Sequence, residues 1–214
     1  MKTIPLILTA ILALTLPASA QRPAPPSREA QKLIQSALTD FDAKRYDEAL
    51  EKVLKLEQEM PDDIMVLNLV GAAYTKKRDF ATAQTYFDKA LAKDPNFFAA
   101  KFNVGEIMFL QRNYQGAYEH FSKMLEGDPR NELLQFKVFL SLLELGKMEE
   151  AATALKRIKY PSDTPAWYYG QAVWEWKKGD KKKAAEYVTG ARYIFGPKTA
   201  IFDETLDDIG VKLR

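Results

Sequence analysis

Pro61, Pro95 and Pro129 recur at intervals of 34 residues, and no other feature of the chain constrains its fold as tightly. The next steps fall at 163, between Pro161 and Pro165, and at 197, on Pro197. A fixed period of roughly 20–50 residues marks an array of like units, and one near 34 suits two helices joined by a turn. In two units aligned three residues after each proline, 64–97 and 98–131, Gly71 and Gly105 both stand eighth. Tyr74 and Met108 are eleventh, Phe80 and Tyr114 seventeenth, Ala83 and Ala117 twentieth, Phe87 and Phe121 twenty-fourth. Small side chains at eight and twenty let antiparallel helices approach, and the large ones fill the space between them. Proline, which lacks an N–H, ends the second helix of each unit. Asp62, Asp63 and Asn96 stand where helix caps are expected.

This pattern resembles the tetratricopeptide repeat: small at eight, aromatic at eleven, alanine at twenty, aromatic at twenty-four, proline at thirty-two. The resemblance runs through five units, 30–63, 64–97, 98–131, 132–164 and 165–198. Ala37 replaces the glycine in the first, and Phe139 takes a small-residue place in the fourth, where a splayed helix pair is expected. The fifth keeps Gly179, Ala184 and Ala191. Over 199–214, Phe202, Leu206, Ile209 and Leu213 recur at helical spacing opposite Asp203, Glu204, Asp207 and Asp208. That segment is expected to cap the last unit with a polar outer face. The implied fold is all-α, a right-handed superhelical solenoid of eleven helices.

The start of the chain reads differently. Lys2 precedes an apolar run from Ile4 to Leu16, then Pro17 and Ala18-Ser19-Ala20. Charged start, apolar middle and small residues before a cleavage point describe a secretory signal peptide over 1–20, cut after Ala20. The run is short of the roughly 20 apolar residues a membrane span needs. Residues 21–29, with Pro23, Pro25 and Pro26, are expected to form an extended leader. No Asn-X-Ser/Thr occurs, so export to a bacterial periplasm is the expected destination, with any membrane attachment made through a partner.

Chemistry is sparse. The chain has no cysteine and one histidine, His120, which removes thiolate sites and leaves a lone imidazole without a second ligand of its kind. Glu149-Glu150 and Asp207-Asp208 are helix neighbours pointing about 100° apart, so they do not form acid–base pairs. No phosphate-cradling loop, nucleophile elbow or His-Glu-x-x-His motif is present. No catalytic, cofactor-binding or metal residues are assigned and no cofactor is expected. A formal charge of +2 argues against a nucleic-acid binder.

The resemblance implies that positions five, nine and twelve of each first helix line a concave groove. Twelve of those fifteen positions are apolar, and the aromatic ones gather in the last three units. An exposed strip of this kind marks an interaction site, with Phe102, Glu106, Phe109, Phe136, Leu140, Tyr169 and Trp176 as the candidate partner groove. Glu106, between two phenylalanines, is expected to receive a lysine or arginine of the partner. Two other readings stay open: register shifts place these residues in the hairpin cores, or the leader, the last helix or a second copy fills the groove. Asn68 and Asn103 are isolated echoes of a clamp for C-terminal carboxylates, a mode the apolar neighbours disfavour. Lys177, Lys178, Lys181, Lys182 and Lys183 form a candidate patch for an anionic partner, because three of them oppose the dipole at a helix start. The implied role is a non-catalytic scaffold for a protein or peptide partner. Its rivals are a subunit of an envelope assembly machine, a protein acting on cell-wall polymers, and self-association.

Overall fold

The computed structural model describes residues 27–213; the expected signal peptide and residues 21–26 of the leader lie outside them. The described residues form eleven α-helices and no strand. They are α1 (Arg28–Asp42), α2 (Tyr46–Glu59), α3 (Ile64–Lys76), α4 (Phe80–Lys93), α5 (Phe98–Leu110) and α6 (Tyr114–Gly127). The series continues with α7 (Glu132–Glu144), α8 (Met148–Leu155), α9 (Ala166–Lys177), α10 (Lys181–Phe195) and α11 (Ala200–Asp208). A 3₁₀ turn over Gly196–Thr199 joins the last two.

The caps explain most of these starts. The Ser27 hydroxyl accepts the Ala30 N–H, so α1 begins inside the segment expected to be leader. Asp63 caps α3, Asp79 caps α4, Asn113 caps α6, Asn131 caps α7 and Asp180 caps α10, each accepting a backbone N–H one turn in. Asn96 does not cap; Phe97 holds that place and α5 starts without a side-chain acceptor.

Ten helices pair into five hairpins, α1/α2 through α9/α10. The two small-residue positions work as close approaches. A Cβ built on Gly71 would lie 2.5 Å from the Phe87 ring, and one on Gly105 would lie 2.6 Å from the Phe121 ring. First helices also pack on each other, α3 on α5 and α7 on α9, which puts them on the inner side of a curved stack.

The fourth hairpin departs from its neighbours. Helix α8 stops at Leu155, and the chain then runs without helix to Pro165. Two prolines in that stretch remove donors that a helix would need. Its loop is tied to the start of α7, where Glu132 accepts from the Ser162 hydroxyl at 2.7 Å and the Thr164 N–H at 3.1 Å. Phe139, in the small-residue place, is fully buried beside Phe136 and Trp174.

Candidate functional site

The inner face is built by α3, α5, α7 and α9, and it is occupied. Helix α11 turns back from α10 and lies along it. The C-terminal segment therefore does more than cap the last hairpin, because half of its expected outer face points at the groove.

The contacts run residue by residue. The Phe202 ring sits 5.2 Å from those of both Phe136 and Tyr169. Asp203 accepts from Arg192 Nη2 at 2.7 Å and from the Tyr169 hydroxyl at 2.6 Å. Glu204 pairs with Lys76 of α3. Thr205 accepts from Lys137 Nζ at 3.0 Å. Leu206 and Val211 are buried in the same C-terminal core as Phe202. Asp207 reaches toward Lys44 at 3.9 Å, beyond the end of α1. Burying an apolar side chain contributes about 1.5–3 kcal/mol, against about 0–1 for a half-exposed ion pair. The apolar face therefore supplies the grip and the charges set the register.

The candidate groove residues are accordingly covered. Phe102, Phe109, Phe136, Leu140 and Tyr169 are buried, and Trp176 is half-buried. The expected bare aromatic strip is not found: Phe202 of α11 covers Phe136 and Tyr169, whereas Phe102 packs on Phe121 and Phe109 on Tyr114 within their own hairpin. Glu106 does receive a lysine, but from its own chain: Lys137 Nζ lies 2.7 Å from Glu106 Oε2. Lys137 is 1% exposed and also lies over the Phe102 and Phe109 rings, at 5.8 and 5.7 Å. The other Glu106 oxygen, Oε1, is buried with no hydrogen-bond partner among the described residues. Beside it a cavity of about 120 Å³ remains between α3, α5 and α11, lined by Ala72, Lys76, Glu106, Ile201, Glu204 and Asp208 among others.

Electrostatics follow from this crowding. Burial, and then the Asp203 carboxylate, push the Tyr169 hydroxyl far above its ordinary value. Asp203 in turn holds the Arg192 guanidinium above its own. Desolvation and the neighbouring Glu204 charge raise the Asp208 carboxyl, while Lys137 and Lys76 act the other way.

The lysine cluster is largely satisfied within the chain. Lys178 and Lys183 flank the buried Glu175 at 3.1 and 3.2 Å, and Lys177 pairs with Glu144 at 2.9 Å. Lys178 first, and Lys183 with it, hold the Glu175 carboxyl below the usual range. Lys181 stands 5.0 Å above the Trp176 ring, and Lys182 makes no such contact among the described residues. The unfavourable helix dipole is thus offset by Glu175 and the Asp180 cap, which removes the reason for inferring an anionic partner there. His120 Nε2 lies 2.7 Å from the Lys101 carbonyl, and Asn103 donates to Asn68 at 2.9 Å, so the two asparagines serve each other.

Lys76, Lys137, Arg192, Phe202, Asp203, Glu204 and Thr205 were not among the expected site residues. One of them left a trace in the sequence: Lys137 is the single charge in the apolar run from Leu133 to Leu143. Larger surface clefts lie elsewhere. One, about 810 Å³, is bounded by α6, α7 and α8 and is lined by Tyr118, Glu126, Glu149, Glu150 and Arg157 among others, away from this face. Among the described residues no three His, Cys, Asp or Glu side chains gather as metal ligands. No helix among them is long and apolar enough to cross a membrane.

Residues 69–132 match the sequence family described as tetratricopeptide repeat. The chain is 31% identical over 134 residues to the DnaJ homolog subfamily C member 7 homolog of Schizosaccharomyces pombe, covering 57% of this chain and 26% of that protein. It is 24% identical over 93 residues to the type IV pilus assembly protein PilF of Pseudomonas aeruginosa, covering 42% of this chain and 37% of that one. The chain thus spans about a quarter of the first relative and about a third of the second. Its fold is similar to the crystal structure of a tetratricopeptide repeat protein from Parabacteroides merdae, with a TM-score of 0.70 and 19% identity over 84% of this chain and 70% of that one.

Proposed function

We propose that this chain, a tetratricopeptide-repeat protein by its fold and by the sequence of residues 69–132, is a non-catalytic scaffold that binds a helix of a partner protein in its concave groove. One observation carries the reading: the groove already holds a helix, gripped by aromatic walls and by cations from three different hairpins, Lys76, Lys137 and Arg192. A face built only to close a core would not need charged side chains converging on one helix, since apolar packing alone supplies that stability. Export to a bacterial periplasm is part of the proposal and rests on the segment from Lys2 to Ala20.

A second reading, a subunit of an envelope assembly machine, is favoured by the likeness to the pilus assembly protein over 93 residues. Action on cell-wall polymers has less support, because Glu106 and Glu204, two of the acids beside the groove cavity, are held in ion pairs with Lys137 and Lys76.

Crosslinking of the full chain in its native envelope tests the scaffold. The half-buried Lys76 and exposed Arg192 can be reversed with little effect on the core. A protein crosslinked to the wild type should be lost from the Lys76→Glu/Arg192→Glu variant at unchanged helicity. Equal crosslinking by both chains would place the partner elsewhere and refute the groove.

A further inference from the structure

The run Phe202-Asp203-Glu204-Thr205-Leu206 is read by the groove one side chain at a time. Phe202, Thr205 and Leu206 turn inward, and Asp203 and Glu204 flank them on either side, each meeting a cation. The three cations lie on α10, α3 and α7, so a single helix must carry both acids at this spacing to satisfy the first two.

The fit of α11 is nevertheless incomplete. Ile201 is 39% exposed, a cavity of about 120 Å³ separates α11 from α3 and α5, and Glu106 Oε1 faces that region without a donor. A buried acceptor left unpaired costs free energy that a better-matched helix would recover. Burial, and then the nearby Glu204 and Glu106 charges, raise the Asp208 carboxyl at the same place. Helix α11 itself is short, spanning Ala200–Asp208, and hangs from a 3₁₀ turn that begins at Gly196, with φ +53°.

We propose that α11 is a resident plug of the groove, and that the partner is an acidic amphipathic helix in the same register, an aromatic, two acids, a hydroxyl and a leucine, with an added hydrogen-bond donor opposite Glu106. This rests on the scaffold reading above and specifies its ligand. A segment tethered by so short a turn competes at an effective concentration of about millimolar. The apparent affinity for a partner is therefore the intrinsic one reduced by the fraction of open chains. Attachment makes the plug a threshold: helices of weak or wrong pattern are excluded, and a helix that also satisfies Glu106 displaces it.

The probe is a labelled peptide of residues 199–213, titrated by fluorescence anisotropy against the full chain and against full-length Phe202→Ala/Leu206→Ala, whose plug has lost its apolar grip. Circular dichroism checks the solenoid, and hydrogen exchange over 200–208 reports release of α11. The peptide should bind the opened chain at least tenfold more tightly than the wild type. Adding Lys76→Glu should weaken it about tenfold, and a Glu204→Lys peptide should restore binding to that variant. An Ile201→Lys peptide, which brings a donor to Glu106, should bind more tightly than the parent.

Equal affinity for closed and opened chains, or a charge exchange that restores nothing, overturns the proposal. So does an opened chain that dimerises as it loses peptide binding, which would give the groove to a second copy. If the double variant loses its helical signal, Phe202→Ala alone with the same peptides gives the same comparison. Retained, Lys76-dependent crosslinking in the envelope alongside no peptide binding would sink the plug while leaving the scaffold standing.

Discussion

Lys137 is the residue on which the inner face turns. An ammonium with 1% exposure must be paired, and it is, by Glu106 at 2.7 Å and Thr205 at 3.0 Å. Removing one member of such a pair strands the other, at a cost of about 3 kcal/mol, whereas replacing both by apolar groups is close to neutral. Lys137→Met should therefore lower stability by about that amount in urea unfolding, and Lys137→Met with Glu106→Leu should recover most of it. Asp40 is a further buried charge. Its carboxyl accepts from Lys52 and from Arg45 at 2.5 Å, and those two, Lys52 first, hold it below the usual carboxylate range. A depressed folded-state value means the native chain binds fewer protons than the unfolded one around pH 4. The stabilisation is present above the unfolded value of about 3.9 and disappears as pH falls through the depressed one. Asp40→Asn should melt below the wild type at neutral pH, and the gap should close on acidification.

At the scale of elements, the spacing of the hairpins depends on what faces the glycines. Alanine at Gly71 meets the rigid Phe87 ring at 2.5 Å, whereas alanine at Gly170 meets the movable end of Leu155 at 2.6 Å, with Ile158 at an ordinary contact distance of 3.7 Å. Overpacking costs about 1–3 kcal/mol, and alanine regains about 1 in helix propensity. Gly71→Ala should destabilise by up to about 2 kcal/mol, while Gly170→Ala should be near neutral, as thermal melts would show. The turns within the hairpins follow the same period. Lys44, Arg78, Arg112 and Gly146 are spaced by 34, and all four have positive φ, 57°, 62°, 63° and 75°. Only the last is the residue type that a left-handed turn favours. Arg112→Gly should raise stability by up to about 1 kcal/mol in denaturant unfolding, since it relieves that strain. Nothing in the local sequence announced the first three of these turns, because lysine and arginine carry no turn preference and the hairpin contacts impose the conformation.

Over the whole molecule, α11 joins the two ends of the stack, from Arg192 and Tyr169 at one side to Lys76 and Lys44 at the other. Asp208 strains that closure. The charges that act on it come from four helices: Lys76 on α3, Glu106 on α5, Lys137 on α7 and Glu204 on α11 itself. Desolvation raises its carboxyl, so the closed state binds more protons than the open one and closure weakens as pH rises through the raised value. Asp208→Asn should slow hydrogen exchange across 200–208 at neutral pH, and the difference should shrink in mild acid, where the wild-type carboxyl is itself protonated. The helix pairs of the central units were legible in the sequence because proline, glycine and alanine act locally, through missing donors and missing bulk, at a period that repeats. The fourth unit was less so: Phe139 signalled a departure, but where α8 would stop depends on packing against Gly170 and on the Glu132 tether. The amphipathic pattern from Phe202 to Leu213 was equally plain, yet periodicity says only that a helix has an apolar side, not which surface receives it. By itself, then, the sequence determined the repeats, their order and an apolar inner face. Only the tertiary structure decided that α11 fills that face and that Lys137 rather than a partner meets Glu106. Such contacts join residues about 30 to 130 positions apart, beyond the reach of any local rule.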